Sequence, residues 1–195
     1  LAPGELGIGG GMLVGSYNGD SESLFTDCTF TNNTAEAVPE VEAGTGGGGV
    51  HTLDADATFK NCTFTNNNAV EGTGGGLNIQ NSNVTIENCT FEGNTADYGG
   101  GMYNRSSTTS TVSNCTFSGD TDILGGGGMF NNFESNPTVT NCTFSGNTAI
   151  HGSGVCNSDS DPKITRCTFS DNTARGFVYG GGMYNLSSSS PTEPN

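Results

Sequence analysis

A block of about 26 residues recurs along this chain and is anchored twice in each copy. Cysteine, threonine and phenylalanine stand together at Cys28, Cys62, Cys89, Cys115, Cys142 and Cys167, at steps of 34, 27, 26, 27 and 25. A glycine cluster closed by an apolar residue runs in phase with them, ending at Met12, Val50, Leu77, Met102, Met129, Val155 and Met183. Two anchors in register define a stack of units, each burying its apolar face only against its neighbours. Composition alone points elsewhere. With 31% hydrophobic residues, 32 glycines and a formal charge of -15, the 195 residues resemble a solvated, disordered segment. A periodic stack escapes that conclusion because a narrow core needs few apolar side chains when they fall in columns.

Within a unit the spacing is that of strands. Leu77 and Ile79, or the Cys and Phe of each CTF, lie two apart, so they share one face of an extended segment. The runs are short and Thr-rich and are punctuated by Gly, Asn, Ser and Asp, which suit turns and left-handed backbone positions. No stretch of helix-forming residues with a 3.6 period competes; "AEAVPEVEAG" is interrupted by Pro39. The expectation is an all-β parallel solenoid of about six to seven coils of about 26 residues, with equivalent side chains stacked into ladders at the usual strand spacing.

In that solenoid Cys28, Cys62, Cys89, Cys115, Cys142 and Cys167, and Phe30, Phe64, Phe91, Phe117, Phe144 and Phe169, point inward as a core ladder, the thiols reduced. Thr29, Thr63, Thr90, Thr116, Thr143 and Thr168, between them, point outward. Asn94, Asn147 and Asn172 occupy a turn in which stacked amides hydrogen-bond from coil to coil. Residues 1–186 form one domain, with an acidic insertion at 35–45, and 187–195 are a Ser/Pro-rich segment. The seventh cysteine, Cys156, replaces Tyr103, Phe130 and Tyr184 in a column read as outward together with His51 and Asn78; it is the candidate reactive thiol. His51 and His151 are out of phase and read as surface residues.

These residues resemble the right-handed parallel β-helix repeats of pectin-lyase-like proteins. The likeness is strongest to the polymorphic outer-membrane-protein type, with its GG-apolar and F-x-x-N motifs. The matching residues are Gly100-Gly101-Met102 with Phe91-Glu92-Gly93-Asn94, Gly127-Gly128-Met129 with Phe144-Ser145-Gly146-Asn147, and Gly181-Gly182-Met183 with Phe169-Ser170-Asp171-Asn172. Asp120 departs from the pattern, standing where the motif has Asn. The resemblance implies right-handedness and a secreted or surface-displayed adhesin or passenger domain.

Five Lys+Arg against 20 Asp+Glu exclude nucleic acid as a partner, since phosphate binding needs clustered cations. No run approaches the roughly 18 apolar residues of a membrane span, so no insertion is expected. The functional expectation is an extracellular or cell-surface structural or adhesive module without a catalytic site, metal centre or cofactor beyond weak Ca²⁺ on acidic loops, with a glycan or cell-surface ligand. Joining "SSPTEPN" to the "LAPGELGIGGGM" of a second copy would complete one coil, which adds the expectation of end-to-end self-association into a filament; the rival expectation is a fragment of a longer passenger with "SSSSPTEPN" as a linker. The alternatives are a polysaccharide-active enzyme, which needs paired carboxylates on one wall, and an ice-binding solenoid using the Thr-x-Thr/Ser array, which Glu92 interrupts.

Overall fold

A computed structural model of the chain describes residues 10–15, 22–36, 46–107, 109–176 and 180–186. The described residues form strands and no helix, and every strand pair is parallel and joins successive coils. Each coil contributes one strand to each of four walls, which contain seven, six, six and six strands. The first wall contains Met12–Gly15, Val50–Leu53, Leu77–Gln80, Met102–Arg105, Met129–Asn132, Val155–Ser158 and Met183–Leu186. The second runs from Glu22–Thr26 to Lys163–Thr165, the third from Thr29–Thr31 to Thr168–Ser170 and the fourth from Thr34–Glu36 to Thr173–Ala174. Of the expected insertion at 35–45, Ala35 and Glu36 end a fourth-wall strand; the rest lies outside the described residues, as does the 187–195 segment.

The corners explain the Asn, Asp and Gly punctuation. A single residue with φ near +55° turns the chain from the second wall to the third, at Asp27, Asn61, Asn88, Asn114, Asn141 and Arg166. The next corner is turned by Asn32, Asn66, Gly93, Gly119, Gly146 and Asp171. Left-handed backbone is cheapest for Gly and tolerated by Asn and Asp, so these residue types recur at one phase of the repeat. The glycine clusters answer a different need. A Cβ on Gly100 would sit 2.5 Å from the Thr121 carbonyl oxygen and 2.7 Å from that of Gly127, so only glycine lets successive coils approach there.

The six phenylalanines of CTF stack in one column, with neighbouring ring centroids 4.6–5.0 Å apart. Phe64, Phe91, Phe117 and Phe144 are fully buried, and Phe30 and Phe169 at the two ends are half-buried. Two further inward columns complete the core: Phe25, Phe59, Ile86, Val112, Val139 and Ile164 on the second wall, and the glycine-cluster residues Met12 to Met183 on the first. All seven cysteines are free thiols. Those of the CTF column are not merely apolar filler: each donates to the carbonyl two residues back, as Cys115 does to Ser113 at 3.1 Å. Cys89 Sγ also accepts the amide of Cys62 at 3.4 Å, so the column satisfies corner amides from coil to coil.

Candidate functional site

The structure places Asn94, Asn147 and Asn172 in a buried ladder that also includes Asn33, Asn67 and Asp120. The Nδ2 of Asn67, Asn94, Asn147 and Asn172 donates to the Phe carbonyl oxygen of the preceding coil, as Asn147 does to Phe117 at 3.1 Å. From Asn67 onward each Oδ1 of the ladder accepts the backbone amide of the preceding ladder residue. A second inward ladder, Asn104, Asn131, Asn157 and Asn185, links first-wall strands through amide bonds of 2.6–2.8 Å. Its signal was present two residues after Met102, Met129, Val155 and Met183, on the same strand face. Thr29, Thr63, Thr90, Thr116, Thr143 and Thr168 stand in register along the outer face of the third wall, with Glu92 between Thr65 and Ser118.

The column read as outward on the first wall is buried, which corrects the assignment of Cys156. His51 and Asn78 are wholly buried and Cys156 is 3% exposed. The cause is a second layer: in successive coils the connection from the fourth wall to the first folds back across this column, with Thr73 bridging to Tyr98 and Gly125 to His151. Gly99 and Gly126, at φ of +65° and +79°, make the reversals. Burial pushes the Cys156 thiol up to about 12, and the neighbouring Asp122 carboxylate adds to this, so the thiolate a reactive cysteine needs is suppressed at neutral pH. His51, expected at the surface, is corrected as well: it lies wholly buried in the same column.

Between this second layer and the end of the first wall lies an open groove of about 680 Å³. Its floor is a satellite core in which Tyr103 and Phe130 stack at 5.6 Å beside Cys156, with Tyr98 edge-on to Phe130 at 5.3 Å. Burial raises the Tyr103 phenol above its ordinary range, opposed by the amide of Asn132, which donates to its oxygen at 3.4 Å. Leu124 and Gly125 form one side. Phe133 and Leu186, 52% and 50% exposed, stand at the rim. Phe133 is held at φ +50°, an outlying conformation for a bulky residue, and the Arg105 guanidinium lies 4.7 Å from its ring centroid. Among the described residues that line this groove there is no Asp or Glu. Among the described residues no group of three or more His, Cys, Asp or Glu is placed to hold a metal ion.

Parallel strands coiled through four walls, with an aromatic groove on one flank, define a β-helix. The family model for the right-handed beta helix region matches residues 13–190, and the chain belongs to that family. No curated protein and no solved structure matches it.

Proposed function

We propose that the chain is an extracellular structural and adhesive module that holds a neutral oligosaccharide in the aromatic groove. The observation that carries this is Phe133. An aromatic ring kept half exposed, on strained backbone and braced by Arg105, is costly for stability alone, and such strain concentrates where ligands are gripped. Phe133 and the half-buried Tyr98 and Tyr184 offer ring faces to the C–H faces of sugars, while Asn132, Ser158 and Arg105 offer hydrogen bonds to hydroxyls. A surface of formal charge -15 repels polyanions, which favours neutral chains. A described lining without carboxylates favours binding over hydrolysis there, because glycoside hydrolysis needs an acid and a base or nucleophile, ordinarily both carboxylates. A glycan array tests the reading. Retention of neutral oligosaccharides, weakened by about tenfold in Phe133→Ala, is expected; retention of none, or equal binding by the variant, would sink it.

A filament of such modules is the finer part of this proposal. In the first described coil Met12, Phe25 and Phe30 are only partly buried, and in the last Ile164, Phe169 and Met183 are too. These are the end members of the same three columns, so a second copy stacked in register would continue each one. Sedimentation velocity at rising concentration is expected to show growing head-to-tail species; a single monomeric boundary at all concentrations would remove the filament and leave the groove untouched.

A further inference from the structure

Asp120 occupies a position in the inner ladder built for an amide. It is fully buried, and its Oδ1 does what an asparagine Oδ1 does, accepting the Asn94 amide at 2.8 Å and Asn94 Nδ2 at 2.9 Å. Its own backbone amide donates to Asn147 Oδ1 at 2.9 Å, so the backbone register matches the other coils. The remaining oxygen, Oδ2, stands where its neighbours carry Nδ2, and it has no hydrogen-bond partner. The equivalent groups contacted by Asn147 Nδ2 are the Phe117 carbonyl oxygen and Asn172 Oδ1; for Asp120 they are the Phe91 carbonyl oxygen and Asn147 Oδ1. Both are acceptors. A carboxylate oxygen aimed at two acceptors in a dry interior is repelled, whereas a carboxylic acid O–H donates to one of them.

We propose that Asp120 is a proton-operated clasp of the fourth coil: neutral, it completes the ladder; ionised, it breaks the ladder at the middle of the stack. The surrounding groups reinforce this. Asn94 and Asn147 above and below are uncharged, and Glu92 adds repulsion. Asp122, two residues on, takes an inward place held by Ala96 and Ala149 in neighbouring coils and faces Asp97, itself near Glu71. Burial holds the Asp120 carboxyl well above the usual carboxylate range, partly offset by the bonds from Asn94. Burial likewise raises Asp122 to about 9, against the pull of the Leu124, Gly99 and Gly125 amides.

The sign follows from linkage. A carboxyl that holds its proton more tightly when folded contributes its full stability below the unfolded value of about 3.9, and loses it as pH rises toward the folded value. Each pH unit in that window lowers the folding equilibrium constant by about tenfold. Asp120→Asn restores the ladder amide and removes the part of the proton dependence that Asp120 contributes, while that of Asp122 stays common to both proteins. Urea titrations of the wild type and Asp120→Asn at pH 4.5 and pH 7 are expected to differ by only a few-fold in folding constant at the lower pH, and by up to about a thousandfold, in favour of the variant, at the higher. The reciprocal Asn147→Asp should add a new loss with the same pH direction. In the infrared difference spectrum at neutral pH, the neutral-acid carbonyl band of the wild type should weaken in Asp120→Asn, where Asp122 alone supplies it, and vanish when Asp122→Asn is added. A wild-type-to-variant gap equal at both pH values, or a band that Asp120→Asn leaves unchanged, would overturn the proposal.

Discussion

Phe117→Ala is expected to lower the unfolding free energy by about 3–5 kcal/mol. The ring is fully buried and stacks at 4.6 Å on Phe91 and at 4.8 Å on Phe144, nearly parallel to both. Deleting it removes its own transfer energy and also leaves a gap that the flanking rings cannot close. Their spacing is set by main-chain pairing of Thr116 with Thr90 and Thr143, and the backbone cannot shorten that distance without breaking the ladder. The upper part of the range for large-to-small core changes therefore applies. The same substitution at Phe30 or Phe169, half-buried at the ends of the column, should cost less, because solvent or rearranged neighbours fill the space. Denaturant titration of the three variants measures the gradient. A loss below about 1 kcal/mol at Phe117 would contradict a core made of stacked rings.

The columns were legible because each copy of the repeat restates them. CTF fixes two inward residues by period two, and the copies fix the register, so the phenyl column and the inner Asn ladder could be read off directly. The burial of Cys156 and His51 could not be. Alternation says only that they lie on the other face of the strand, and whether solvent or a second layer meets that face depends on how the glycine-rich connection folds back, through reversals such as Gly99 and Gly126. One clue lay in the column itself. Tyr103, Phe130 and Tyr184 are poor choices for a wet surface, and aromatic residues on a nominally outer face point to a covering layer. The groove depended on Arg105 and Phe133, from adjacent coils, and on a backbone strain at Phe133 that no residue-type preference announces.

Asn147→Ala is expected to cost about 2–5 kcal/mol, comparable with loss of a core ring although no large apolar group is removed. Asn147 Oδ1 accepts the Asp120 amide at 2.9 Å, and its Nδ2 serves both the Phe117 carbonyl oxygen at 3.1 Å and Asn172 Oδ1 at 3.0 Å. Alanine leaves the Asp120 N–H and the Phe117 carbonyl without these partners in a fully buried setting, and each orphaned group costs about 1–3 kcal/mol. Asn141→Ala makes the contrast. That side chain donates to Asn114 Oδ1 at 3.3 Å on an exposed corner, so water replaces the bond and the main loss is the left-handed backbone at φ +55°, about 1–2 kcal/mol. If urea titration finds the two variants equal, the inner ladder contributes no more than a surface one. The position of Asn147 also matters for cooperativity. A stack held by nearest-neighbour contacts melts as one unit only while every interface is strong relative to the coils it joins. Weakening the contact between the coils of Asp120 and Asn147, near the middle of the stack, should therefore lower the denaturant slope as well as the midpoint, because the two flanking blocks of coils begin to unfold independently.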